Sequence, residues 1–105
     1  MSEWVDAVQE KRLKDGARQV VATAIGPVAL FNVAGELLAI EDRCSHDGGE
    51  LACGELDGDE IICPRHGARF SLHSGMALTP PAYEGIDTFP VRVVDGMIQL
   101  DIGDD

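Results

Sequence analysis

The stretch FPVRVVDGMIQLDI, residues 89–102, decides the fold class. Val91 and Val93 alternate with Arg92, and Ile98, Leu100 and Ile102 alternate with Gln99 and Asp101. A period of two marks a half-buried strand. Between the two runs stands Asp95-Gly96, a pair favoured in two-residue hairpin turns because both turn positions need positive φ. The stretch therefore reads as two antiparallel strands joined by a tight turn.

The same reading extends upstream. PVALFNV (27–33), Ala34-Gly35-Glu36 and LLAIED (37–42) form a second predicted hairpin. GEL (54–56), Asp57-Gly58-Asp59 and EIICP (60–64) form a third, and ARFSL (68–72), His73-Ser74-Gly75 and MALTPP (76–81) a fourth. Long helical periodicity is missing. The best helical window is DAVQEKRLKDG (6–16), and it is short. Spaced hairpins with few helices predict an all-β fold of antiparallel sheets, a sandwich or a partly open barrel. Trp4 is expected to anchor the first strand in the core.

The chain has 105 residues, which favours one domain spanning 1–105. Such a chain buries about two-thirds of its unfolded surface, enough for one modest core. Nineteen acidic residues face eight basic ones, a formal charge of −11. Nucleic acid and anionic membranes need cationic surface, so both are excluded as partners. A partner with a basic docking face fits better, as does the plainer reading that the charge maintains solubility. The N-terminus carries no apolar run of signal-peptide length, and no stretch approaches a membrane span, which implies a cytoplasmic protein. Three cysteines without an export signal favour metal binding or redox chemistry over paired disulfides.

Two short stretches concentrate the reactive residues: CSHDGG (44–49) and CPRHGA (63–68). Each follows a predicted strand, so both belong on loops at one end of the β structure. The set is Cys44-x-His46, sixteen residues, then Cys63-x-x-His66. Two thiolates and two imidazoles can fill a tetrahedral zinc site or be shared between the two irons of a [2Fe–2S] cluster. Zinc fingers pair cysteine with cysteine on one arm and histidine with histidine on the other. Here each arm carries one of each, which suits a diiron cluster with both cysteines on one iron and both histidines on the other. Gly48, Gly49 and Gly67 are expected to let the backbone approach closely and aim amides at sulfide. Pro64 stiffens the second arm.

These two arms resemble the Rieske iron–sulfur motif, C-x-H-x16-C-x2-H. The likeness to small bacterial Rieske ferredoxins runs from about Val28 to Leu100 and includes Phe70, Gly75 and Pro81. The resemblance implies a Rieske-like fold with one [2Fe–2S] cluster held between the two loops, in a subdomain of about residues 43–82. It implies Cys44 and Cys63 on the inner iron, and His46 and His66 on the outer iron at the exposed tip, where electrons enter and leave. High-potential members carry an extra disulfide-forming cysteine in each loop; Gly49 and Arg65 stand there. They also carry a serine and a tyrosine that donate hydrogen bonds to cluster sulfur; Ala68 and Phe70 stand there. Fewer such bonds imply the low-potential, oxygenase-associated branch, near the bottom of a range of about −150 to +300 mV.

The function so implied is a one-electron carrier, itself no enzyme. It would be a monomer that accepts electrons from a flavoprotein ferredoxin reductase and delivers them to the terminal oxygenase of an aromatic-ring dioxygenase system. No nucleotide fingerprint, nucleophile–base pair or second metal constellation can be built from the remaining residues. Three rivals share the ligands: the small Rieske-like subunit of an assimilatory nitrite reductase, a ferredoxin serving another oxidase or iron–sulfur assembly, and a zinc-stabilised interaction module. Outside the ligand set, Cys53 reads as a small buried apolar residue. His73 reads as a surface residue at a hairpin tip. Pro80-Pro81 is expected to form a rigid loop covering the cluster. Asp47 and Glu50 either dock a basic partner or face water, and Asp104-Asp105 is a solvated end.

Overall fold

The computed structural model describes residues 2–45, 48–65 and 67–103. Ten strands run in chain order: β1 Trp4–Gln9, β2 Arg18–Thr23, β3 Gly26–Val33, β4 Glu36–Glu41, β5 Glu55–Asp57, β6 Glu60–Ile62, β7 Arg69–Ser71, β8 Thr88–Phe89, β9 Val91–Val94 and β10 Met97–Asp101. They form three antiparallel sheets, ordered β1-β10-β9, β2-β3-β4-β8 and β5-β6-β7. Among the described residues there is no α-helix, only a 3₁₀ turn at Glu10–Arg12. The all-β expectation holds as stacked open sheets.

The four-stranded sheet is the middle layer, and its sequence shows why. Val28, Ala29, Leu30 and Phe31 are all fully buried, without alternation. Val28 and Leu30 pack with Ile98 and Leu100 of β10, whereas Ala29 and Phe31 pack with Ile61 of β6 and Phe70 of β7. Cross-strand partners follow the same division. Leu30 opposes Ala39 towards one core, and Ala29 opposes Ile40 towards the other. A strand buried on both faces reads as a continuous apolar run. Each large side chain fully removed from water contributes about 2–3 kcal/mol.

The predicted turns are realised with small shifts. Asp95 and Gly96 have φ of 51° and 77°, and Ala34 and Gly35 have φ of 52° and 90°. Glu36 belongs to β4, opposite Val33, and not to the turn. The third hairpin turns at Gly58-Asp59, with Asp57 opposite Glu60. The fourth is reduced: β7 meets the returning chain through a single bridge, Phe70 to Ala77. Val93 is exposed, not half-buried, because β9 is an edge strand.

The window 6–16 is not a helix. It holds the end of β1 and the 3₁₀ turn. Register shifts between Asp6 and Val8, so Val5 faces Leu100 and Val8 faces Ile98. This bulge inserts one residue. It puts Val5 and Val8 on one face at a spacing of three, which imitates a helical period. Trp4 is only half-buried and lies beneath the Arg92 guanidinium, 4.0 Å from its ring centroid. It is not a core anchor.

Candidate metal centre

The first ligand loop leaves β4 after Glu41 and the second leaves β6 after Ile62. Both close in the same way. The Cys44 N–H donates to the Gly49 carbonyl (2.7 Å), and the Gly48 N–H donates to the Cys44 carbonyl (2.8 Å). In the second loop the Cys63 N–H donates to the Ala68 carbonyl (2.7 Å), and the Gly67 N–H donates to the Cys63 carbonyl (3.0 Å). Gly48 and Gly67, each four residues past its cysteine, both have φ of 75°. That left-handed conformation is costly for any residue with a Cβ. The two loops are thus copies of one turn, although histidine stands two residues after cysteine in one and three in the other. The amides of Gly48 and Gly67 close their own loops. Each of these two glycines is required by its φ.

Cys44 and Cys63 are buried in the same apolar core, beside Leu51, Ala68 and Phe70. Neither forms a disulfide. The structure therefore places two of the four expected donors in one core. His46 and His66 lie outside the described residues, as do Asp47, Asp104 and Asp105. Two buried sulfurs on matched loops, in a dry core, fit the soft-donor, low-dielectric setting that an iron–sulfur centre requires. Ala68 and Phe70 are fully buried and have no side-chain proton to donate.

Three further groups hold the loops, and sequence reasoning did not single them out. Asp42 is buried at the mouth of the first loop, and its Oδ1 accepts the N–H groups of Leu51 and Ala52, each at 2.8 Å. Arg18, from β2, donates from Nη1 to the carbonyl of Ala52 at 2.7 Å and to that of Gly54, while its guanidinium lies over the Phe31 ring. The Ser45 hydroxyl donates to the Glu84 carbonyl, joining the first loop to the segment after the prolines. Aspartate ahead of a turn is a recognised local signal. Arg18 and Ser45 carry none, because their partners lie more than thirty residues away.

Two glycines permit backbone crossings at the base of the site. A Cβ at Gly54 would stand 2.0 Å from the Ile62 carbonyl oxygen, and one at Gly75 would stand 2.0 Å from that of Ile86. The segment 76–86 is held to β7 by the Leu78 N–H on the Arg69 carbonyl and by the Arg69 N–H on Thr79 Oγ1. Pro80, Met76, Leu78 and Tyr83 are exposed. Cys53 is exposed too, in correction of its expected burial. Glu50 is exposed, and His73 is exposed at its turn as expected. On the cluster-side sheet, hydrogen bonding to Asp57 and then Glu60 raises the Arg69 guanidinium above its ordinary value.

Comparison with known proteins gives the same answer by an independent route. The chain is 33% identical over 99 residues to the ferredoxin component of the naphthalene 1,2-dioxygenase system of Pseudomonas aeruginosa, covering 94% of this chain and 95% of the relative. It is 46% identical over 76 residues to the 3-phenylpropionate/cinnamic acid dioxygenase ferredoxin subunit of Escherichia coli K12, covering 71% and 72%. Its fold superposes on a chain from the complex of reduced oxygenase and oxidised ferredoxin of carbazole 1,9a-dioxygenase, with a TM-score of 0.87 and 30% identity, over 93% of this chain and 92% of that one. Residues 3–90 match the Rieske [2Fe–2S] domain, and the chain belongs to that family.

Proposed function

We propose that this chain is the ferredoxin component of a ring-hydroxylating dioxygenase system, a one-electron carrier between a flavoprotein reductase and a terminal oxygenase. The observation that carries the reading is the pair of matched loops that bury Cys44 and Cys63 in one core. The relatives named above, ferredoxin components all, support it. Cys44 and Cys63 are assigned to the inner iron, and His46 and His66 to the outer iron. The cluster, when bound, supplies one reversible electron. The chain's own residues hold the sulfurs in fixed positions and exclude water from them. The whole chain acts as a single domain, with residues of about 43–82 as the cluster-binding part, in the cytoplasm and as a monomer.

With the side chains of Ala68 and Phe70 unable to donate hydrogen bonds, the potential belongs near the low end of about −150 to +300 mV. An EPR-monitored redox titration of anaerobically purified protein tests this. A rhombic Rieske signal appearing only at low potential, and reduction by a flavoprotein dioxygenase reductase, are expected. A colourless zinc protein, or an intact cluster that no such reductase can reduce, overturns the reading.

A further inference from the structure

The geometry points to Asp42 as a positioning residue for the cluster, one whose charge also sets the potential at which the cluster is reduced. The inference rests on the proposed function. Asp42 is the one charged side chain buried among the described residues. It stands two residues before Cys44, no more than about 7 Å along an extended chain. Its own N–H is fixed on the Pro27 carbonyl of β3, so the middle sheet anchors it.

From that anchor its carboxylate takes the N–H groups of Leu51 and Ala52, just beyond the ligand loop. Arg18 takes the next carbonyls, those of Ala52 and Gly54. Ala52 is thus gripped by an anion at its N–H, from the residue just past β4, and by a cation at its C=O, from β2. Residues 51–54 cannot shift without breaking charge-assisted hydrogen bonds, which are about twice as strong as neutral ones. This grip fixes the exit of the loop whose entry carries Cys44.

The charge has a second consequence. A carboxylate in a buried setting is weakly screened, and it opposes the arrival of an electron at a neighbouring centre. Arg18 reaches the segment from β2 and holds its carbonyls, whereas Asp42 lies just past the end of β4, two residues before Cys44 in the chain. Asp42 therefore holds the potential down, in the same direction as the missing hydroxyls at positions 68 and 70.

Asp42→Asn and Asp42→Ala separate the two roles. Asparagine keeps an Oδ1 acceptor for both N–H groups and removes the charge. D42N should bind wild-type iron and acid-labile sulfide, keep the wild-type EPR line shape and titrate at a more positive potential. D42A leaves both N–H groups without their acceptor. It should lose iron and sulfide several-fold or show an altered line shape. An unchanged potential in fully loaded D42N overturns the inference, even if D42A does not fold. Loss of the cluster in a folded D42N overturns it as well, because both acceptor contacts survive there. Wild-type loading, line shape and potential in D42A would do the same. Absence of any Rieske signal in the wild-type protein would instead defeat the proposed function.

Discussion

Nε2 of His73 lies 2.8 Å from Oε1 of Glu36, a contact that ties the cluster-side sheet to the middle sheet. His73 sits in the turn after β7, and Glu36 opens β4. The other ring nitrogen, Nδ1, lies 2.9 Å from Oδ2 of Asp59 in the β5–β6 turn. Hydrogen bonding to Glu36 is the largest influence on the imidazole and, with Asp59, raises its pKa above the ordinary 6.5. The folded state thus binds the proton more tightly than the unfolded chain. The stabilisation is complete below pH 6.5 and is lost as pH rises through the higher folded value. The melting temperature should fall as pH rises between about 6 and 8. In His73→Gln that fall should flatten. Equal slopes in the two proteins would show that the bridge contributes nothing in solution, as exposed ion pairs often do.

Cysteine substitution should divide the three thiols sharply. Cys44→Ser and Cys63→Ser each remove a buried sulfur from the common core and should abolish the visible absorption and bound iron. Cys53→Ser should leave both unchanged, because Cys53 is exposed and, among the described residues, its Sγ reaches the Glu50 carbonyl alone, at 4.0 Å. Iron and sulfide analysis of the three variants, side by side, decides the matter. Loss of the cluster in Cys53→Ser would place that thiol in the centre and contradict the loop geometry.

What could be read from the sequence was local. Asp95-Gly96 announces its turn because a left-handed pair accepts few residue types, and at Ala34-Gly35 the glycine alone gives that signal; both turns formed there. The two ligand loops were legible for the same reason: each strand ends just before its cysteine. What escaped depended on tertiary partners. β3 carries no alternation because two cores claim its two faces. The bulge at Asp6–Val8 disguised a strand as a helical window. Nothing in the chain near Arg18 or Ser45 reveals carbonyls at Ala52 or Glu84. Cys53 departs from the usual burial of cysteine because the path of the 51–54 segment turns it outward.

Restoring hydroxyls to the second loop should move the potential upward. Ala68 and Phe70 are fully buried; Ala68 closes the Cys63 turn, its carbonyl accepting the Cys63 N–H, and Phe70 lies just beyond in β7. Ala68→Ser adds little volume, and Phe70→Tyr adds one oxygen, so the loop should persist. A hydroxyl donating to cluster sulfur stabilises the more negative, reduced state. The double variant should titrate at a more positive potential than the wild type, and each single variant between them. An unchanged potential in the loaded double variant would show that hydroxyls at these positions do not set the potential, with the Asp42 carboxylate as the next cause to examine.

Three glycines should respond to alanine in proportion to what a Cβ would meet. At Gly58 the φ of 62° is unfavourable for alanine, but no atom lies within 4 Å. The cost there is the conformational one, about 1 kcal/mol. At Gly54 the new Cβ would stand 2.0 Å from the Ile62 carbonyl oxygen, with the Leu51 oxygen at 3.2 Å behind it. Both neighbours are backbone and cannot rotate away, so the two segments must separate. Overpacking of this kind costs about 3 kcal/mol. Gly75 combines both penalties, since its φ is 76° and its Cβ would meet the Ile86 oxygen at 2.0 Å. Denaturant unfolding should rank the losses Gly58→Ala, then Gly54→Ala, then Gly75→Ala. Because the Gly54 crossing joins the exit of the first ligand loop to the strand entering the second, Gly54→Ala should also lower iron content where Gly58→Ala does not. Equal iron loss in those two variants would mean that the crossing serves stability alone and leaves the spacing of the two cysteines untouched.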